Sequence, residues 1–370
     1  MKIEIDKNEL INLLGKTQNI VEKRNTMPVL VNVLLEATGD SLKVFATDLE
    51  VSLTDQVNVN VLEQGKVAVS AKNLFDIIKE LPDGQIRLEK KENNWLEISQ
   101  GKSLFNIVGI GAEEYPVFPT FSTNEFLETS STVLKEMIEK TIYSVSNDET
   151  RYHLNGVYFE NQGNSSNTYR MVSTDGHRLS LVDRIPTKNN SNSSASGVII
   201  PRKGLNEIRK MLDNSDDLQL AFEGSQLIVK NQETILMVRL IEGKYPNYSQ
   251  LIPQNLKTKA VVDKDRMLAS LKRVSLLSNQ KSKGVTLNFD GGTMKITSNN
   301  PELGDAKEEM EINYNGESMK IGFNAKYLMD VLTSINDETV DIELNDQISP
   351  ALIKPSHDPD YRCVVMPMRL

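Results

Sequence analysis

A threefold repeat of one short pattern is the feature of this 370-residue chain that most constrains its fold. The pattern begins at Lys72, Lys203 and Lys326, which are 131 and 123 residues apart, close to one third of the chain. Apolar residues follow each lysine at the second, fifth and ninth positions: Leu74, Ile77 and Leu81; Leu205, Ile208 and Leu212; Leu328, Val331 and Ile335. This spacing puts them on one face of a helix. Because solenoid repeats have periods of about 20–50 residues, the longer spacing predicts one small domain used three times.

Each copy is predicted to run helix, strands, helix, strands. The expected helices are Lys7–Val21, Ser70–Leu81, Ser131–Asn147, Pro201–Asp213, Asp263–Asn279 and Asn324–Asp337, with Ser131 and Asp263 as N-caps. Strands between the helices are expected at Val29–Glu36, Ser41–Thr47, Gly156–Glu160, Thr168–Ser173, Gly284–Phe289 and Thr293–Thr297. The second strand of each pair leads into a polar corner, at Thr47-Asp48, Thr174-Asp175 and Ser298-Asn299.

The fold class that follows is α+β, with two helices on an antiparallel sheet in each of three repeated domains. Their expected boundaries are 1–123, 124–251 and 252–370. The polar stretch Asn189–Gly197 is interpreted as a surface loop inside the second copy.

Catalytic and metal-binding motifs are missing from the sequence. The three histidines, His153, His177 and His357, have no partner at metal-ligand spacing, and the single cysteine excludes a CxxC pair. Gly101-Lys102-Ser103 resembles the end of a phosphate-binding loop, but Leu96 stands where the first glycine is needed, so a hairpin turn is the better interpretation. The sequence therefore predicts no catalytic site, no metal and no cofactor.

The compartment is also constrained. One cysteine, Cys363, fits a reducing environment. The charged N-terminus resembles no signal peptide, and no apolar run reaches the roughly 18 residues of a membrane span. We expect a cytoplasmic protein with no membrane partner.

Charge is segregated along the chain. The six helical segments, counted with the short loops after them, carry a net charge of +6, whereas the whole chain carries −9, which leaves −15 for the strands and loops. A basic helical surface on an acidic body suits contact with phosphates. No helix has the Arg, Asn and Gln face of a major-groove reader, and the basic residues are not interleaved with aromatic residues. Sequence-independent contact with the duplex backbone is the favoured interpretation.

Five short motifs resemble one family. They are Arg151-Tyr152-His153-Leu154-Asn155-Gly156, Thr174-Asp175-Gly176-His177-Arg178-Leu179, Pro201-Arg202-Lys203-Gly204, Ser298-Asn299-Asn300-Pro301-Glu302 and the C-terminal Val364-Val365-Met366-Pro367-Met368-Arg369-Leu370. In order and spacing they resemble the bacterial sliding clamp, the beta subunit of DNA polymerase III, along the whole chain. The resemblance implies a non-catalytic, head-to-tail homodimer in which six domains of the DNA-clamp type close a ring around duplex DNA, with helices lining the hole.

The same resemblance implies a pocket for short linear motifs of partner proteins. Its expected residues are Leu154, Thr174, Gly176, His177, Arg178, Leu179, Pro246, Leu251, Val364, Met366, Pro367 and Met368. Two methionines around a proline give a deformable apolar surface, which suits several similar peptides. The implied partners are the replicative polymerase, the clamp loader, translesion polymerases and mismatch-repair proteins.

Two further surfaces follow from the resemblance. The expected DNA-binding residues are Arg24, Arg151, Tyr152, Arg202, Lys203, Lys281 and Lys283. The expected dimer interface joins Phe105 and Ile107 of one protomer to Leu276 and Leu277 of the other. Lys90, Lys91 and Lys102 are expected at its rim, opposite Glu302, Asp305, Glu308 and Glu309.

Two other hypotheses stay open at the level of sequence. One is a DNA-modifying or phosphate-transferring enzyme that uses clustered carboxylates and a divalent metal. The other is a repeat scaffold that does not bind DNA. Retention on circular DNA that is lost after linearisation separates a clamp from both.

Overall fold

A computed structural model describes residues 1–21, 27–123, 125–162, 168–186, 197–212 and 217–369. The helices are α1 Lys7–Thr17, α2 Ala71–Glu80, α3 Ser131–Glu139, α4 Arg202–Leu212, α5 Lys264–Val274 and α6 Ala325–Thr333. The predicted loop at Asn189–Gly197 lies outside the described residues, except for Gly197.

The strands follow in chain order. The first third contains β1 Lys2–Asp6, β2 Asn32–Thr38, β3 Ser41–Thr47, β4 Val51–Asn58, β5 Asn60–Glu63, β6 Gly65–Ser70, β7 Gln85–Lys90, β8 Leu96–Gln100, β9 Ser103–Ile107 and β10 Gly109–Ile110. The second third contains β11 Leu127–Ser130, β12 Gly156–Asn161, β13 Tyr169–Thr174, β14 Arg178–Arg184, β15 Val198–Pro201, β16 Asp217–Glu223, β17 Gln226–Asn231 and β18 Thr234–Arg239. The last third contains β19 Thr258–Asp263, β20 Gly284–Asp290, β21 Thr293–Asn300, β22 Gly304–Glu311, β23 Asn313–Tyr314, β24 Met319–Asn324, β25 Thr339–Leu344, β26 Ala351–Pro355 and β27 Tyr361–Val365.

The first of two compact units comprises residues 1–131 and 203–240. It holds a five-stranded sheet, β5-β1-β7-β8-β9, and a nine-stranded sheet, β10-β6-β2-β3-β4-β18-β17-β16-β11. Helices α1 and α2 pack on each other, and their apolar faces, with Leu10, Leu14 and Leu74, join the core of the sheets. This is the predicted arrangement of two helices on antiparallel strands.

The second unit comprises residues 132–202 and 241–370. Its nine-stranded sheet runs β15-β12-β13-β14-β27-β26-β25-β19-β23, and its four-stranded sheet runs β22-β21-β20-β24. Helices α5 and α6 pack on each other. The central copy therefore contributes β11 and β16–β18 to one nine-stranded sheet and β12–β15 to the other.

Helix starts follow local capping chemistry. Asp263 caps α5 as predicted, because its carboxylate accepts a hydrogen bond of 2.8 Å from the Arg266 amide. Asp6, Ser70 and Asn324 cap α1, α2 and α6 in the same way. The prediction for Ser131 is wrong by one residue, since Ser131 is the first helical residue of α3.

The first helix of each copy, α1, α3 and α5, ends before its predicted C-terminal bound. Helix α1 ends at Thr17, where the hydroxyl donates to the Leu14 carbonyl. Helices α3 and α5 give way to short 3₁₀ helices at Ile142–Ser144 and Ser275–Leu277. Hydroxyl groups that bond to the preceding turn compete with the α-helical ladder. The apolar stripe continues past α1 and α3 because Ile20 and Val145 are also buried, whereas Leu276 after α5 is exposed.

Two strand predictions need correction. Val29, Leu30 and Val31 belong to a 3₁₀ helix that starts at Pro28, since proline fixes φ and has no amide to donate. Strand β21 continues through the predicted corner at Ser298-Asn299, because Asn300 still pairs with Gly304 of β22. The polar turn begins at Asn300 instead, whose side chain accepts from the Glu302 amide.

Candidate functional site

The turn between β13 and β14 is held by its own polar side chains. The Thr174 hydroxyl donates to the Arg178 carbonyl at 2.6 Å and accepts from the Gly176 amide at 3.1 Å. The Asp175 carboxylate accepts from the amides of His177 and Arg178. Gly176 has φ +89°, in the left-handed region that favours glycine. This loop is therefore rigid before any ligand arrives.

The Arg178 side chain holds the loop in place through hydrogen bonds. It is only 7% exposed, and its guanidinium donates to Asp175, Asp330 and the Tyr143 carbonyl. The same group lies over the Tyr327 ring, 4.5 Å from its centroid. Because its described partners already occupy it, Arg178 positions the loop and α6 instead of offering a free charge.

An apolar floor lies beside the loop. Leu154, Leu179 and Val364 are buried and belong to one cluster with Tyr245 and Tyr248. These residues come from the end of a 3₁₀ helix, from β14, from β27 and from the segment after β18. Burial raises the pKa of Tyr248 to about 12, so its ring stays neutral in this floor. The sequence-predicted floor residues are thus brought together.

The rim of the floor is exposed and apolar. Met366 is 42% exposed and Leu251 is 45% exposed. Pro246, Pro367 and Met368 are half-buried, and His177 is exposed. The Met366 amide donates to the His177 carbonyl at 2.9 Å, which ties the C-terminal segment to the loop. A buried floor with an exposed methionine rim can accept apolar side chains from a peptide.

Tyr327 was missed by the sequence reasoning. It lies in the first turn of α6, and its ring stacks on His177 with centroids 6.3 Å apart. Burial raises the pKa of its hydroxyl. The sequence feature that could have indicated it is its position, since Tyr327 directly follows Lys326, the start of the third repeat.

The predicted DNA-binding residues differ in solvent exposure and in the partners that their side chains have within the chain. Arg24 lies outside the described residues. Arg151 is about half exposed, and its Nε donates to Asp148 at 3.0 Å. The neighbouring Tyr152 is 57% exposed. These two residues present a cation and an aromatic ring to solvent.

Arg202 and Lys203 are engaged within the chain. The Arg202 guanidinium donates to the Asn147 side chain and the Val145 carbonyl, and burial lowers its pKa, followed by the effect of Arg178. Lys203 pairs with the buried carboxylate of Asp48. Each would reach a phosphate only by giving up these partners.

Lys281 and Lys283 are more available. Both lie in the turn before β20 and are exposed, and neither side chain forms an ion pair with another described residue. The Asn279 side chain orders the turn by accepting from the Lys281 and Ser282 amides. Lys283 has φ +50°, which fixes the direction of the turn.

The predicted interface residues lie on an open sheet edge and in a 3₁₀ helix. Strand β9, which carries Phe105 and Ile107, is an edge of the five-stranded sheet and is exposed along four of its five residues. Leu276 is 76% exposed and Leu277 is partly buried, in the 3₁₀ helix after α5. Among the rim residues, Glu308 already pairs with Arg273, and Lys91 with Glu89 and Glu97.

Within the described residues, no group of three or more His, Cys, Asp or Glu side chains is arranged to hold a metal ion. No described helix is long and apolar enough to cross a membrane.

Comparison with known proteins gives the family. Models of the DNA polymerase III beta subunit match its N-terminal domain to residues 1–119, its central domain to 128–247 and its C-terminal domain to 249–369. The beta sliding clamp of Caulobacter vibrioides is 33% identical over 374 residues, covering 100% of both chains. The chain belongs to the bacterial sliding clamp family.

Solved clamps share the fold of this clamp. The beta sliding clamp of C. crescentus is 33% identical, with a TM-score of 0.95 and full coverage of both chains. A sliding clamp from Pseudomonas aeruginosa, solved bound to griselimycin, is 34% identical with a TM-score of 0.93 over both full chains. The expected α+β clamp fold is confirmed, and so is the expectation of a non-catalytic processivity factor of DNA polymerase III.

Proposed function

We propose that this clamp closes as a head-to-tail homodimer around duplex DNA and holds replication and repair proteins there through the pocket beside Met366. The observation that carries the proposal is the pocket itself. A buried apolar floor, an exposed methionine rim and a loop locked by Arg178 form a surface that is already shaped for a short peptide.

Ring closure is supported by two open sheet edges. The β9 edge exposes Leu104, Phe105 and the adjoining Val108, an apolar strand that invites pairing with another chain. In the second unit, β22 is an edge of its own sheet and lies next in that sheet to β21. We assign Phe105 and Ile107 to one side of the interface and Leu276 and Leu277 to the other.

Contact with DNA is proposed for the six cations and the one tyrosine predicted from the sequence, namely Arg24, Arg151, Tyr152, Arg202, Lys203, Lys281 and Lys283. Lys281 and Lys283 have exposed side chains, so they can approach phosphates at no cost in broken ion pairs. Sequence-independent phosphate contacts hold a protein near DNA and allow it to slide.

The remaining expectations belong to the same proposal. The three clamp domains have boundaries at 123/124 and 251/252. The partners of the pocket are the replicative polymerase, the clamp loader, translesion polymerases and mismatch-repair proteins, each through a short linear motif. The clamp acts in the cytoplasm, associated with the nucleoid.

A primer-extension assay tests this function. The replicative polymerase and clamp loader of the same organism copy a long, singly primed circular template with and without the clamp. We expect product length per binding event to rise when the clamp is present and to fall when a motif peptide competes for the pocket. Products of equal length with and without the clamp would overturn the proposal.

A further inference from the structure

A second depression opens on the same sheet as the peptide pocket. It has a volume of about 390 Å³ and is formed by the segment before β19 together with β25, β26 and the start of β27. Four cations line it, Lys257, Lys259, Lys354 and Arg362, against one carboxylate, Glu343. We call this depression the basic cleft.

The basic cleft and the pocket share one face of the sheet. Leu179, Val364, Leu352, Glu343 and Lys259 lie directly opposite one another on β14, β27, β26, β25 and β19. Directly opposite residues of antiparallel strands point to the same face. The row therefore leads from the apolar floor of the pocket to the cleft on a single face of the sheet.

Leu352 is the shared wall. Its side chain belongs to the apolar cluster of the pocket and also lines the cleft. Ile252 and Leu256, which also line the cleft, pack against the same cluster. A peptide anchored over Val364 thus meets the cleft as the next feature of the surface.

The distance along the row gives the spacing of the ligand. Val364 and Lys259 lie three strands apart, and neighbouring strands are separated by about 4.8 Å, so the span is about 14 Å. An extended peptide covers about 3.3–3.6 Å per residue. A side chain that reaches the far end of this row comes about four residues from the one anchored over Val364.

The charge of the cleft gives the chemistry of the ligand. Lys354 pairs with Glu343 at 2.6 Å and Lys259 pairs with the buried Asp341 at 2.5 Å, which leaves Lys257 and Arg362. The exposed Lys257 side chain forms no ion pair with another described residue. The Arg362 Nε donates to the Pro359 carbonyl at 3.2 Å and its Nη2 lies 4.0 Å from Asp183, which leaves further donors of the guanidinium for a ligand. The cleft therefore has two cations available on a chain whose net charge is −9.

We propose that the basic cleft binds an acidic side chain of the partner peptide, within about four residues of the apolar residue anchored over Val364. The inference rests on the proposed peptide function of the pocket and extends it to the flank of the motif. Phosphate groups of DNA are the competing ligand, but the apolar wall at Leu352 favours a peptide.

The test compares three synthetic peptides on the full-length clamp by fluorescence polarisation. Each has the same core of one glutamine and three apolar residues, and carries three glutamates before the core, three glutamates after it, or glutamines at both ends. We expect one acidic peptide to bind about three- to tenfold more tightly than the glutamine peptide at low ionic strength, as one or two exposed ion pairs allow. Equal affinity of all three would overturn the inference, whereas failure of every peptide to bind would overturn the pocket itself.

Variants assign the gain to the cleft. Lys257→Gln and Arg362→Gln should each remove much of the gain while leaving the affinity of the glutamine peptide unchanged. Lys320→Gln is the matched control, since Lys320 is an exposed lysine on β24, outside the lining of the cleft. In Lys257→Glu, a lysine-flanked peptide should bind more tightly than to the wild type. A gain that survives in both cleft variants would contradict the assignment to the cleft, and a gain that a short DNA duplex abolishes in the wild type would contradict the assignment to a peptide.

Discussion

At the scale of single residues, side chains with the same predicted role have different physical roles. The sequence predicts both Arg178 and Met366 in the pocket. In the structure, the Arg178 side chain is buried and hydrogen-bonded, whereas Met366 is exposed to solvent. The motif predicts which residues meet, because their order along the chain is characteristic. It does not predict which of them are free to contact a ligand, since that depends on Asp330 and Tyr143, which are distant in sequence.

Met366→Ala tests the exposed rim. Truncation removes an apolar contact made only with the bound peptide, so we expect motif-peptide affinity to fall about tenfold, which corresponds to about 1.4 kcal/mol. Thermal unfolding should be unchanged because the side chain is 42% exposed. Leu62→Ala, at a similarly exposed leucine on β5, should bind the peptide as the wild type does. Equal losses in both variants would contradict a specific role for Met366.

Gly176→Ala tests the locked loop. A Cβ there would lie 2.8 Å from the Arg151 Nη1, in addition to the strain of φ +89°. Gly39→Ala is the matched control, because it has φ +60° and no atom within 4 Å of the new Cβ. We expect each variant to cost about 1 kcal/mol in unfolding free energy, because the Arg151 Nη1 is the end of a flexible side chain and can move away. Only Gly176→Ala should also weaken peptide binding, since Gly176 lies in the loop of the pocket, and equal peptide affinity of the two variants would contradict that role.

At the scale of elements, the repeat predicted the existence and order of helices and strands but not their ends. Helix α2 falls within one residue of its predicted bounds, because Ser70 caps it and its apolar stripe stops at Leu81. Helix α3 does not, because Thr141 bonds to the Met137 carbonyl and the chain turns into a 3₁₀ helix while its apolar residues stay buried. Apolar periodicity indicates which residues are buried, but it does not distinguish an α-helical turn from a 3₁₀ turn.

An ion-pair cluster attaches α3 to its sheet and predicts a pH dependence. Arg184 donates to Glu136 and Asp358, and Lys140 pairs with the same two carboxylates. Burial raises the pKa of Asp358, but the hydrogen bonds from Arg184 and Lys140 outweigh it, and the net pKa is lowered. The pKa of Glu136 is lowered by the same balance. A lowered pKa means that the folded state stabilises the ionised form.

Asp358→Asn should therefore destabilise the clamp only where the carboxylate is ionised. The wild-type contribution is fully present above the ordinary pKa values of 3.8 and 4.5 and is lost as the pH falls through the lowered ones. We expect a loss of about 2 kcal/mol in unfolding free energy at pH 7, measured by denaturant titration, and no difference in strong acid. Asp360→Asn, at a neighbouring exposed position, should match the wild type at both pH values. A deficit in Asp358→Asn that persists in strong acid would contradict the cluster.

At the scale of the whole molecule, the sequence predicted the family but not how its strands are shared. The motifs and the threefold repeat carry the family because they span the whole chain. Nothing in the local pattern of the central copy indicates that β18 pairs with β4 while β14 pairs with β27. Such pairings join residues far apart in sequence, and alternation of apolar residues specifies a face and not a partner. Segregation of charge, by contrast, can be predicted from the sequence, because it requires only the sum of formal charges in each segment.

Ring closure predicts a specific sensitivity of the dimer. Leu276→Ala removes an apolar side chain that is 76% exposed in the chain and that we assign to the interface. We expect the dimer to dissociate at higher protein concentration than the wild type in sedimentation-velocity ultracentrifugation, because apolar contacts outweigh rim ion pairs worth about 0–1 kcal/mol each. Ile348→Ala, at an equally exposed position, is the control and should keep the wild-type mass. An unchanged dimer in Leu276→Ala at low concentration would refute the assignment.

Enclosure of DNA is tested most directly by cutting DNA that already carries the clamp. The clamp is loaded on a nicked circular plasmid with one restriction site, and its residence time is measured by gel filtration at moderate salt, before and after the cut. We predict long residence on the circle and rapid loss once the ends are free, because topology, not phosphate affinity, retains the ring. Equal residence on cut and uncut DNA would contradict the account.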